Sequence, residues 1–248
     1  MLKTLKERGC QYIEVRHWKQ DPDCSLIASV FDKILDTGLK ISFHGDVNEN
    51  TGTAGMYASF PWLYSYMEKT SQAPLVLTLH PLNSTQNTVE ENYNLTFQML
   101  KHCAEDIEKE NLPITVAYEI QRSKGYSDPA VVYSMLVQMV KDLNNPLIKI
   151  CWDMGHAYAN YMQGLIPKEP PSDFLSYTAH THIHDIRPGS TSTHWPLIFN
   201  TVEVETYVNL LRKAGYEGIF NLELSPGKFA HMSVLDGFIK SIDFLRNL

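Results

Sequence analysis

The four cysteines, Cys10, Cys24, Cys103 and Cys151, form no CxxC pair. Scattered in this way they read as reduced, mostly buried thiols, which excludes a disulfide frame or a zinc knuckle. No apolar run approaches the roughly 20 residues of a membrane span. The opening stretch, MLKTLKERGCQYIEVRH, holds no apolar signal core, so the sequence predicts a cytoplasmic chain with no membrane partner. The sequons at Asn83 and Asn94 then carry little weight. Positive charge is scarce too: 21 Lys+Arg against 28 Asp+Glu give a net charge of -7. Proteins that grip nucleic acid by its phosphates present a basic surface, so nucleic acid is disfavoured as a partner. An anionic small substrate needs only a few local cations and stays open. Neither GxGxxG nor GxxxxGK(S/T) follows a strand, so the nucleotide-binding alternatives lack their signature. No internal repeat, low-complexity tract or linker divides the chain.

What is present is an ordinary globular composition, 44% hydrophobic and 20% charged over 248 residues. That length buries a large core and predicts one domain, 1–248. Short apolar segments alternate with amphipathic ones. Strands are expected at QYIEVR (11–16), KISFHG (40–45), LVLTLH (75–80), ITVAYEI (114–120), IKICWD (148–153), HTHIH (180–184) and FNLEL (220–224). Most are rich in Ile, Val, Leu and Phe, as strands buried on both faces should be. Helices are expected at 25–36, 56–69, 89–110, from the Asp128 cap and Pro129 to Leu143, at 202–214 and at 234–248. The Pro-rich stretch 166–171 reads as a loop. Regular βα alternation means a parallel sheet with right-handed crossovers. With this many units the expected fold class is α/β, a TIM-type (β/α) barrel. Only seven strands are evident. A helix-like segment at 2–8 precedes the first of them, and the usual first strand is missing or irregular. The resulting seam is one that a second subunit could cover, which keeps a homo-oligomer in view.

In such a barrel the chemistry sits at the C-terminal ends of the strands. Metal-competent residues stand at or near those ends from the second strand to the seventh: His44, His80, Glu119, Asp153, the trio His180, His182 and His184, and Glu223. His156 follows Asp153 by three residues. Singly, each reads most simply as a satisfied rim residue. Together, carboxylates and imidazoles crowded into one space carry a large desolvation cost unless a cation offsets it. Their convergence is what a divalent metal site requires. Period-two alternation puts His180, His182 and His184 on one strand face. Spacing alone leaves His182 and His184 both eligible as ligands.

The segments YIEVRH, ISFHGD, LVLTLHP, VAYEI, CWDMGHAY, HTHIHDI and NLELSP resemble, in order and over nearly the whole chain, the xylose isomerase-like barrel superfamily. That group holds sugar and sugar-phosphate isomerases and epimerases, inosose dehydratase relatives and endonuclease IV. CWDMGH and HIHD are its most specific matches here. The resemblance implies a metal on Glu119, Asp153, His182 and Glu223, with His182 selected because it stands three residues before Asp185. His44 and His80 then belong to a second metal or to the substrate. His156, Arg187 and His194 belong to substrate binding.

The implied reaction is isomerisation or epimerisation through a metal-stabilised enediolate, with Glu119 and Glu223 as base and acid. The cofactor is a divalent ion, with Zn, Mn, Co and Fe(II) equally suited. The substrate is a small sugar or sugar phosphate. One alternative is a zinc phosphoesterase akin to endonuclease IV. There the third site uses an Asp two residues before the final His, and this chain has Ser192. A non-catalytic sugar-binding barrel is the other alternative. Trp62, Trp152 and Trp195 are candidate pocket walls, although Trp152 reads more simply as core. Arg16, His17, Lys19, Arg122 and Lys124 are rim cations that could meet a phosphate.

Overall fold

The structure is a computed structural model that describes residues 1–16, 24–45, 74–125, 127–229 and 232–248. The expected helix at 56–69, Trp62, His17 and Lys19 lie outside the described residues. Among the described residues no helix is long and apolar enough to cross a membrane.

Seven parallel strands run in the order β1 (Tyr12–Arg16), β2 (Lys40–His44), β3 (Leu75–Leu79), β4 (Ile114–Glu119), β5 (Ile148–Asp153), β6 (Thr178–Ile183) and β7 (Ile219–Leu222). The fold is a TIM-type barrel, nearly closed. Numbering the described helices in chain order gives α1 (Leu2–Glu7), α2 (Cys24–Leu35), α3 (Val89–Lys109), α4 (Tyr133–Leu143), α5 (Met154–Met162), α6 (Ser172–Tyr177), α7 (Val204–Lys213) and α8 (Val234–Arg246).

The strands sort their side chains by alternation. Leu75, Leu77, Leu79, Ile114, Val116, Ile148 and Ile150 are buried in the apolar core beneath the helices. The opposite set faces the barrel interior and is markedly polar: Glu14, Ser42, His44, Glu119, Asp153, His180, His182 and Asn221. Cross-strand partners in a parallel ladder project to the same side, and Asp153 pairs with His182 in register. Local chemistry sets the helix starts. Thr88 and Glu91 form a capping box on α3, with Thr88 Oγ1 accepting the Glu91 N–H at 3.2 Å and Glu91 Oε2 accepting the Thr88 N–H at 2.7 Å.

Several details differ from the sequence reading. The helix expected from Pro129 begins at Tyr133. The Asp128 carboxylate instead accepts the Ala130 N–H at 2.8 Å and closes a turn before it. Two short helices, α5 and α6, were not foreseen. Strand β7 ends at Leu222, so Glu223 stands just beyond it.

β1 and β7 share no backbone ladder. A cavity of about 1330 Å³ opens there, lined by Tyr12, Glu14, Ile219 and Asn221, and reaching His44 and Glu223. Side chains bridge the seam: Asn221 Nδ2 donates to Glu14 Oε1 at 3.1 Å.

Candidate metal centre

Glu119 closes β4, Asp153 closes β5, His182 is the penultimate residue of β6 and Glu223 follows β7. These four offer ligand atoms that all lie within 4.8 Å of one another. Glu119, Asp153 and His182 are fully buried. The Glu223 side chain is 23% exposed. His182 Nδ1 is 3.2 Å from Glu223 Oε2 and 3.5 Å from Glu119 Oε1.

These contacts are close, yet they are not a hydrogen-bond network. Both Glu119 oxygens, His182 Nδ1 and Glu223 Oε2 are buried without an aligned hydrogen-bond partner in the protein. Buried polar atoms are rarely left so. Several such acceptors turned toward one space fit a divalent cation, and oxygen and imidazole nitrogen suit several first-row metals.

The two glutamates are held as carboxylates, as that fit requires. Burial alone would raise the Glu119 carboxyl, but the imidazoles of His80, His182 and His156 outweigh it and hold it well below the usual carboxylate range. The Glu223 carboxyl is likewise held low against burial by His182 and His194. Burial disfavours charge on His182, and neighbouring Cys151, Glu14, Glu223 and Glu119 overcome this and raise it. In His156 burial is outweighed by Asp153 and Glu119, which push it up to about 9.

The remaining sequence-predicted residues surround this group. His80 Nε2 lies 2.8 Å and His44 Nε2 3.4 Å from Glu119 Oε2. His156 Nδ1 lies 3.1 Å from Asp153 Oδ2 and 3.4 Å from Glu119 Oε1. His194 Nε2 is 3.4 Å from Glu223 Oε2. Arg187 is not drawn in: it is exposed at the rim, with Cζ 5.9 Å from the Trp195 ring centre. Trp152 is fully buried in the core.

Two features were missed. Asp185, used in the sequence only to select His182, anchors the loop beyond β6. Its carboxylate accepts backbone N–H groups from Ile186, Phe199, Asn200, Thr201 and Val202 at 2.8 to 3.1 Å. Glu14 in β1 accepts from His180 Nε2 at 2.9 Å and lies 2.9 Å from His182 Nε2. A negative charge at Nε2 favours the proton there and leaves Nδ1 free toward the ligand group. Burial would raise the Glu14 carboxyl, and His182 and His180 instead hold it far below its ordinary range. The available signal was an acid in the middle of an otherwise apolar strand, which is costly without partners.

A barrel whose strand ends converge on an acid and imidazole cluster defines a class of TIM-barrel proteins. A profile of the xylose isomerase-like TIM barrel family matches residues 2–248, and the chain belongs to that family. It is 25% identical over 182 residues to the uncharacterised protein MJ1188 of Methanocaldococcus jannaschii, covering 70% of this chain and 62% of that relative. The chain thus spans less than two thirds of that relative's length. Among solved structures, a D-tagatose 3-epimerase-like protein superposes with a TM-score of 0.71 at 16% identity, covering 99% of this chain and 90% of the other. The IOLI protein with a bound zinc atom superposes with a TM-score of 0.69 at 14% identity, over 99% and 90%. At such identities the likeness is one of fold.

Proposed function

We propose that this chain is a divalent-metal-dependent sugar or sugar-phosphate isomerase or epimerase, acting as one barrel domain. The observation that carries the reading is the buried group Glu119, Asp153, His182 and Glu223, whose ligand atoms converge with both Glu119 oxygens, His182 Nδ1 and Glu223 Oε2 lacking hydrogen-bond partners. The epimerase-like and zinc-bound folds of similar shape support it. A bound divalent ion would supply Lewis-acid polarisation of neighbouring substrate oxygens.

The chain's own residues do the rest. Glu119 and Glu223 approach the same imidazole nitrogen from two strands, so two carboxylates flank one small space. One accepts the carbon-bound proton and the other returns it. A carboxylate that binds through one oxygen keeps the second for this task. His156, whose Nδ1 lies beside Asp153 and Glu119, shares the developing negative charge. His194 reaches the same space beside Glu223, and Arg187 is a contact for the outer end of the substrate.

The test is metal content by mass spectrometry, on protein purified without chelator, for wild type and Glu119→Ala. About one ion per chain, lost in the variant, supports the reading and justifies a panel of ketoses and ketose phosphates. No metal in wild type after reloading with zinc or manganese would sink it.

One observation favours a second reading. His44, His80 and Glu119 form a further group within 4.8 Å, which suits a second metal and a zinc phosphoesterase. Two or more ions per chain and cleavage of abasic DNA would favour that chemistry.

A further inference from the structure

Asp153 serves two structural demands at once. Its Oδ1 caps α5 by accepting the His156 backbone N–H at 2.7 Å, while the same carboxylate belongs to the four-residue ligand group. A carboxylate free to rotate would meet neither demand. His184, fully buried just beyond β6, provides the second hold: its Nε2 lies 3.0 Å from Asp153 Oδ1 and 3.2 Å from Oδ2.

On distance alone His184 resembles another ligand, since Asp153, His156, His184 and His194 also form a compact group. Its other nitrogen decides the matter. His184 Nδ1 receives the backbone N–H of His194 at 3.0 Å. A backbone N–H can only donate, so Nδ1 carries no proton there. The proton of the neutral ring therefore sits on Nε2, which donates to Asp153. A protonated nitrogen has no lone pair to offer a cation. The Asp185 carbonyl, 3.3 Å from Nδ1, is the longer contact. It would need a proton on Nδ1 facing the His194 N–H.

Two independent features hold this arrangement. His194 adopts φ +65, a conformation few non-glycine residues take, and it is in that conformation that its N–H meets the ring. Gly155, in the first turn of α5, lies against the same ring. A Cβ at Gly155 would collide with Cε1 and Nδ1 of His184, so only glycine leaves the imidazole its place. The His194 ring then stacks on His184 with centroids 4.3 Å apart.

We infer that His184 is a positioning residue, not a ligand: fixed by the His194 backbone and seated on Gly155, it holds the Asp153 carboxylate in its metal-binding orientation. This rests on the metal reading of the site.

The test compares wild type, His184→Gln, His184→Leu and Gly155→Ala as full chains, titrated with zinc against a chelator of known affinity. Ions per chain are counted in parallel. The expected result is an unchanged number of ions per chain in all four. Zinc affinity falls about 10- to 100-fold in His184→Leu and Gly155→Ala, the usual effect of losing an outer hydrogen bond to a ligand. His184→Gln, whose amide can still donate to Asp153, recovers much of it. The metal-free unfolding midpoints of wild type and His184→Gln should agree, and should His184→Leu fail to fold, Gly155→Ala and His184→Gln carry the comparison. Loss of one ion of two from the His184 variants, with the remaining affinity unchanged, would make His184 a ligand and overturn the proposal. Unchanged affinity in every variant would reduce it to packing. Wild type that binds no zinc would remove the metal reading itself and this inference with it.

Discussion

The barrel has two unlike sides. Along the arc β3–β6 every strand is buried except at its second residue, and each strand is laddered on both edges. At the seam, β1 buries only Val15, every residue of β7 is partly exposed, and no ladder joins them. The candidate metal centre straddles this boundary. Glu119, Asp153 and His182 come from the rigid arc. Glu223 and the charge that orients His182, Glu14, come from the seam. A site built this way has a fixed half and a half whose geometry depends on side-chain bridges.

The largest effect should separate the two halves directly. Glu119→Ala is expected to abolish metal binding, an effect larger than the ~10- to 100-fold typical of outer residues, because Glu119 is met by His44, His80, His156 and His182. Glu223→Ala, on the seam side, where the side chain is partly exposed, should weaken binding and retain a measurable fraction. Equal losses in a chelator competition would erase the distinction.

Stability should divide the same way. Ile150→Ala, in the arc, is expected to cost about 2–5 kcal/mol. Ile219→Ala, in β7, should cost less than half of that, since its side chain is already partly in contact with solvent. Urea unfolding of the metal-free forms measures both. A cost for Ile219→Ala as large as for Ile150→Ala would mean the seam is packed as firmly as the arc.

Glu14→Gln removes the charge beside His182 and weakens the bridge to Asn221. Metal affinity should fall about tenfold. Hydrogen exchange should speed up in β1 and β7 while leaving β4 and β5 unchanged. Faster exchange spread evenly over the sheet would argue that the seam is no separate unit.

The smallest effect is one of pH. His156 in the metal-free protein is pushed up to about 9 by Asp153 and Glu119 against burial. A histidine raised in the folded state contributes stability that is complete below its unfolded value, about 6.5, and is lost as pH rises through 9. Metal-free protein should thus unfold a few degrees lower at pH 9.5 than at pH 6, on the order of 1 kcal/mol. A midpoint that rises over this interval would contradict the His156 environment.

Much of this was legible beforehand. Apolar runs with turn signals gave seven strands in their observed order, because burial on both faces leaves little freedom of composition. Acids and histidines at the strand ends stood out because strand ends in a barrel converge, and only the family resemblance selected Glu119, Asp153, His182 and Glu223 among them. Other roles were not legible. Glu14 meets His180 and His182 only after the chain has closed nearly the whole circuit. The helix start at Tyr133 depended on Asp128 preferring a turn to a cap.

The sequence by itself determined the periodicity, the parallel βα order and which residue types stand at each strand end, since these depend on neighbours a few positions apart. The tertiary structure decided which atoms of those residues face one another. Whether His184 presents a lone pair or a proton rests on a backbone N–H ten residues away. Whether β1 meets β7 rests on the closure of the whole ring. Both are long-range contacts, and local pattern carries no information on long-range contacts.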